Sequence, residues 1–285
     1  MSTGVAGYYD RLSRWNRVAR IIGYGGGQDA LTVHRALADP AANGRPTFTR
    51  LHDIVIARVI ARLSGKRQLS VLDAGCGLGG TMLALAESLD ASCTGLTLST
   101  SQASIANAAA ERRGYGQQVR AVVQSYDAPP GGPFDAIVAI ESLAHSTDPA
   151  RSVAALSRVL TPGGRLVIVD DMPEPEALDS PDLTAFKAGW QCPALWTAQE
   201  YREHLKALGL HLTDEIDLTS DMRPRSALTV AWLMTLNRWA RLITGSSLRQ
   251  VLDSHAGGLA LERLAARKLV RYQLIVARRP ELQVS

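Results

Sequence analysis

An apolar run, Leu69, Val71 and Leu72, ends in Asp73 and passes at once into a glycine turn, Gly75-Cys76-Gly77-Leu78-Gly79-Gly80. Thr81-Met82-Leu83-Ala84-Leu85-Ala86 then reads as the start of a helix. Strand, glycine turn and helix make a corner at which a nucleoside cofactor can approach backbone amides. Gly75, Gly77 and Gly80 also satisfy G-x-G-x-x-G, the dinucleotide fingerprint. The corner therefore limits the fold to an α/β type, while the cofactor has to be argued from other residues.

The alternation that follows fits that fold. Strands are expected at Ser70–Leu72, Ser92–Leu96, Arg120–Gln124, Phe134–Ile140 and Arg165–Asp170. Helices are expected at Thr81–Leu89, Ser101–Arg113 and Ala150–Leu160. Strands and helices taken in turn imply a Rossmann-like parallel sheet with helices on both faces, and ligands beyond the carboxyl ends of its strands. Residues 1–64 read as an N-terminal helical lid: Tyr8, Tyr9, Leu12, Trp15 and Val18 recur at helical spacing, Gly23–Gly27 forms a hinge, and a helix covers Leu51–Leu63. The core spans 65–172. Residues 173–285 read as a substrate cap or oligomerisation region, with helices at Thr197–Leu208, Ala227–Leu242 and Ser247–Lys268 and a last core strand at 271–277.

Composition narrows the class. The 285 residues are 46% hydrophobic and 20% charged, ordinary for a globular protein. Cys76, Cys93 and Cys192 are too few and too scattered for a disulfide framework or a zinc site, and no close trio of hard oxygen ligands stands out, so no metal is expected. The N-terminus lacks the pattern of a secretory leader, and no run approaches the ~18 apolar residues of a membrane span, which points to the cytoplasm. Basic flanks surround an acidic centre, but the arginines are spaced singly and no aromatics interleave with them; no nucleic-acid partner is expected. The apolar helix around Trp232, Leu236 and Trp239 suggests a homo-oligomer.

The acids bear on the cofactor. A nicotinamide-binding corner wants an Asp or Glu at the end of the second strand, about 20 residues on. Here that strand continues Thr94-Gly95-Leu96-Thr97-Leu98-Ser99, without one. The acid stands instead at Asp73, where it suits a ligand carrying an ammonium group and repels a pyrophosphate.

Four elements in register resemble the class I methyltransferases that use S-adenosylmethionine: Asp73-Ala74-Gly75-Cys76-Gly77, Asp127-Ala128, Phe134-Asp135, and Arg158-Val159-Leu160-Thr161-Pro162-Gly163-Gly164. Gly95-Leu96-Thr97-Leu98-Ser99 with Gln102, and Ile140-Glu141 followed by His145, resemble the sterol, tocopherol and cyclopropane-synthase group; Tyr8-Tyr9-Asp10 and His34 echo the same group. The resemblance implies cofactor contacts at Asp73, Gly75, Cys76, Gly77, Thr97, Leu98, Gln102, Asp127, Ala128 and Ile140. Catalytic roles are expected for Tyr8, Glu141 and His145, and the aromatic set Tyr9, Trp190, Trp196 and Tyr201 is read as a substrate lining, with packing of the helices on the sheet as the alternative.

The expected chemistry is methyl transfer to a hydrophobic small molecule. The expected acceptor is a carbon of an isoprenoid double bond, with aromatic faces steadying the cation, as in the terpenoid C-methyltransferases that the chain resembles, the teleocidin type with cyclisation onto an indole among them. A phenolic oxygen or an amine is the alternative acceptor, with Glu141 or His145 as base. An NAD-dependent oxidoreductase and a silent S-adenosylmethionine-binding protein are the readings from other classes.

Overall fold

The computed structural model describes residues 31–60 and 68–281. A seven-stranded sheet is built from β3 (Ser70–Ala74), β4 (Ser92–Thr97), β5 (Val119–Val123), β6 (Phe134–Ile140), β7 (Leu160–Pro173), β8 (His211–Asp217) and β9 (Val270–Arg278), in the order β5-β4-β3-β6-β7-β9-β8. The run from β5 to β7 is parallel; β9 lies antiparallel between β7 and β8. β6 is buried along its whole length, as a central parallel strand covered on both faces must be, and its apolar sequence supplies that.

Helices α2 (Gly80–Leu89), α3 (Thr100–Arg112) and α4 (Pro149–Arg158) cross between these strands. Their starts are written locally. Ser99 Oγ accepts from the Gln102 amide, and Asp148 accepts from the Arg151 amide with Pro149 at the first helical position. α5 (Pro181–Trp190), α6 (Ala198–Ala207), α7 (Ala227–Ile243) and α8 (Ser246–Ala266) make up the C-terminal part. Thr197 and Glu200 close a capping box on α6. α8 crosses α5 where Gly189 meets Gly257; a Cβ on Gly189 would lie 2.8 Å from the Gly257 Cα, so glycine is what lets the two backbones approach.

Several expectations need correction. Residues 1–64 are not wholly helical: β1 (Leu37–Asp39) and β2 (Arg45–Thr47) form a hairpin before α1 (Thr49–Ile60). The expected helix to Leu160 ends at Arg158, and Leu160 already pairs with Phe134. Helix α5 lies in a stretch where no helix was named, although Ser180-Pro181-Asp182 is a good helix start: Ser180 Oγ takes the Asp182 amide. Strand β8 was hidden by its charges; it is an edge strand, where Asp214, Glu215 and Asp217 remain near solvent. The C-terminal region thus gives the sheet two strands, with α7 and α8 inserted between them.

Candidate active site

The chain runs outward from β3 through β4 to β5, then returns to lay β6 and β7 on the other side. The reversal opens a crevice at the carboxyl ends of β3 and β6, where such sheets bind their ligands. Asp73, in register with Gly95 and Val138, stands at its floor. The side chain is buried and Oδ2 has no hydrogen-bond partner. Burial pushes its pKa up to about 7. A buried carboxylate oxygen without a donor is costly, and a ligand ammonium group is the chemistry that relieves it.

The glycine corner is tied down by its own backbone. The amides of Gly75 and Cys76 both donate to the Leu96 carbonyl, at 3.0 and 2.9 Å, and the Gly80 amide that begins α2 donates to the Leu31 carbonyl at 3.0 Å. That amide is therefore engaged inside the protein and is not one that a ligand would meet. Gly75 has φ +104°, and a Cβ there would come within 2.4 Å of the Ser142 Cβ. The close approach it permits is to the turn after β6. Gly95 has a similar role, since its Cβ would fall 2.4 Å from the Met82 sulfur and 2.6 Å from the Cys76 Cβ. Cys76 itself is buried, and burial raises its thiol pKa.

At the end of β4, Thr97 Oγ1 donates to Gln102 Oε1 at 2.7 Å and accepts from the Ser99 amide. With Oε1 engaged, Gln102 retains amide N–H donors suited to hydroxyl oxygens such as those of a ribose. Leu98 is half-buried beside them. Beyond β5, Asp127 Oδ1 accepts from Ser152 at 2.5 Å, and Ala128 is exposed at the rim. Ile140 closes the buried end of β6. An acid for an ammonium group, a polar pair for a ribose and an apolar wall fit S-adenosylmethionine.

Next to this crevice lies a cavity of about 290 Å³, lined among others by Val33, His34, Phe48, Glu141, Trp190 and Leu261. Glu141 follows β6 with φ +48°, a conformation that non-glycine residues seldom adopt outside functional sites. Its Oε1 accepts from the Tyr272 hydroxyl at 2.8 Å and from the Arg35 amide at 3.0 Å. The Arg35 guanidinium bonds Asp171 Oδ2 at 2.5 Å and lies over the rings of Tyr272 (4.7 Å) and Trp190 (5.8 Å). Asp171 is pushed up to about 6 by burial, against the opposing pull of Arg35. His34 donates through Nδ1 to the Arg35 carbonyl, and its Nε2 meets His52 Nε2 at 2.9 Å. Burial lowers both imidazole pKa values, that of His52 to about 3, so the pair is neutral and His52 carries the shared proton.

The structure divides the expected residues. Glu141 and Trp190 line the cavity. His145 does not: its Nδ1 donates to the Gln191 carbonyl at 3.2 Å, and burial lowers its pKa. Trp196 and Tyr201 pack edge to face, with ring centres 5.2 Å apart, in the core cluster on Leu205 and Met172, and neither lines this cavity. Tyr8 and Tyr9 lie outside the described residues. Arg35, Asp171 and Tyr272 were not foreseen. Each belongs to a different segment, and nothing local in the sequence announces their meeting.

Residues 72–168 match the family described as the methyltransferase domain. The chain is 34% identical to O-methyltransferase cnsE of Penicillium expansum over 178 residues, 62% of this chain and 64% of cnsE, a little under two thirds of that relative's length. It is 31% identical to O-methyltransferase rstn1 of Aspergillus nomiae over 164 residues, 55% of this chain and 71% of rstn1. The solved geranyl diphosphate C-methyltransferase of Streptomyces coelicolor, with Mg²⁺, geranyl diphosphate and S-adenosyl-L-homocysteine bound, shares the fold: TM-score 0.64 at 23% identity, covering 95% of this chain and 98% of that one. With its Rossmann-like sheet and Asp73 corner, the chain belongs to the class I methyltransferases, whose cofactor is S-adenosylmethionine.

Proposed function

We propose that this protein transfers a methyl group from S-adenosylmethionine to a hydroxyl oxygen of a small, largely apolar molecule held in the cavity beside Glu141. The observation that carries this reading is the position of Arg35. Among the described residues, one face each of Trp190 and Tyr272, the rings around Glu141 that could otherwise steady a substrate carbocation, is taken by the protein's own guanidinium. A carboxylate, Glu141, meanwhile faces the cavity. Relatives at 31 and 34% identity bear the name O-methyltransferase, which agrees.

Asp73, the Gly75–Gly77 turn, Thr97, Gln102, Asp127 and Ile140 would hold the cofactor, which when bound supplies an electrophilic methyl on a sulfonium. Apolar side chains such as Phe48 and Leu261 seat the acceptor and exclude water. Glu141, oriented by Tyr272 and Arg35, takes the hydroxyl proton as the carbon–oxygen bond forms and the carbon–sulfur bond breaks. The proton then leaves from Glu141 to solvent.

Methylation at carbon of an isoprenoid double bond is the second reading, favoured by the fold shared along nearly the whole chain with the solved C-methyltransferase. The two are told apart with a ¹³C-labelled methyl donor and a panel of phenols, alcohols and prenylated compounds. A methoxy resonance in the product supports oxygen. An alkyl resonance overturns it in favour of carbon.

A further inference from the structure

Helix α7 carries an apolar stripe that the described residues leave uncovered. Leu228 is 85% exposed, Trp232 61%, Leu236 45%, Trp239 66% and Leu242 70%. The opposite face is anchored: Val230 is buried, and Asn237 donates to the Leu252 carbonyl of α8 at 2.9 Å. The stripe runs about 21 Å along the helix axis at 1.5 Å per residue. Single exposed leucines need no explanation, but five aligned apolar side chains including two indoles do.

The order of the stripe is Leu, Trp, Leu, Trp, Leu, which reads the same in both directions. We infer that α7 pairs antiparallel with α7 of a second copy of this chain, about a two-fold axis at Leu236. Trp232 of each copy then meets Trp239 of the other within one residue of register, and Leu228 meets Leu242 within two. An isologous interface requires this self-complementarity, and a random apolar face lacks it.

The area is sufficient. At ~250 Å² for a whole indole side chain, the exposed parts of the two tryptophans offer about 300 Å². Leucines at roughly 100 Å² each add about 200 Å². About 500 Å² from each copy, about 1,000 Å² in total, reaches the lower bound of a specific interface. The charged residues of α7, Arg238 and Arg241, flank the stripe and do not lie on it. Arg241 is held by Asp253 at 2.8 Å, so the C-terminal end of α7 meets the N-terminal end of the other helix with that charge already neutralised.

The full chain is tested by sedimentation velocity between about 1 and 50 µM. Wild type is expected to sediment as a dimer or an even multiple of it, and the double variant Trp232→Glu/Trp239→Glu to dissociate at least 100-fold more readily while keeping its circular dichroism. Cysteine pairing then reads the geometry. The native cysteines Cys76, Cys93 and Cys192 are buried, so Leu236→Cys should crosslink to itself on oxidation. Leu228→Cys should crosslink to Leu242→Cys in a mixture of the two, and neither with itself. A wild-type monomer throughout, an unchanged mass in the double variant, or a Leu228–Leu228 crosslink overturns the proposal. So does a monomer whose tryptophan emission shifts only on anionic phosphatidylserine vesicles, which would assign the stripe to a lipid surface.

Discussion

The Tyr272 hydroxyl donates to Oε1 of Glu141 at 2.8 Å, joining the antiparallel strand β9 to the residue that follows the central strand β6. β9 brings Tyr272 into register with Asp171, so the two residues flank Arg35 from adjacent strands. A hydrogen bond to a charged group contributes about 1.5–3 kcal/mol. Tyr272→Phe is expected to lower turnover about 10-fold or more, with the dissociation constant for S-adenosylmethionine unchanged in calorimetry. An equal loss of cofactor affinity would move Tyr272 from orienting Glu141 to holding the corner.

Asp73 links cofactor binding to pH. Its folded pKa, about 7, lies above the ordinary 3.8, so between those values the folded state binds more protons than the unfolded one. Stability of the cofactor-free protein therefore falls as pH rises from about 4 to 7 and levels off above. Asp73→Asn should flatten that part of the thermal-melt profile and weaken cofactor binding by about 10- to 100-fold. The same slope in the variant would show that another group causes it.

Gly75→Ala is expected to disturb the corner from the protein's side. The new Cβ falls on Ser142, at a φ of +104° that L residues rarely adopt. Overpacking of this kind costs about 1–3 kcal/mol. The variant should melt at a lower temperature than wild type even without cofactor. A melting temperature equal to wild type, with binding lost, would restore the view that glycine there serves only the ligand's approach.

Two tryptophans separate cavity from core. Trp190→Ala should raise the acceptor KM several-fold, since Trp190 lines the cavity and its Nε1 is anchored on the Ser254 carbonyl at 3.1 Å. Trp196→Ala should leave that KM unchanged and destabilise the fold by about 2–3 kcal/mol, through lost packing on Tyr201 and His204. Paired acceptor titrations and denaturant melts read both effects.

The parts of this molecule written in local sequence were legible. The strand–glycine–helix corner, the five parallel strands and the last strand follow from apolar runs and turn residues within a few positions of each other. Glu141, singled out by resemblance, and Trp190, singled out as an aromatic residue, both line the cavity. The clamp around Arg35 was not. Arg35 meets Asp171 across 136 positions, and Glu141 meets Tyr272 across 131. Periodicity records which face of an element is buried, not which partner it finds there. Trp196 and Tyr201 show the converse: aromatic residues near a cap suggested a pocket lining, while the folded chain uses them as core.

Glu141 as proton acceptor is the central claim, and single-turnover methyl transfer by Glu141→Gln tests it most directly. The amide keeps the shape and still accepts from Tyr272 and Arg35, but it cannot take a proton. The rate should fall at least about 100-fold with S-adenosylmethionine affinity within about two-fold of wild type. A rate equal to wild type would contradict the account.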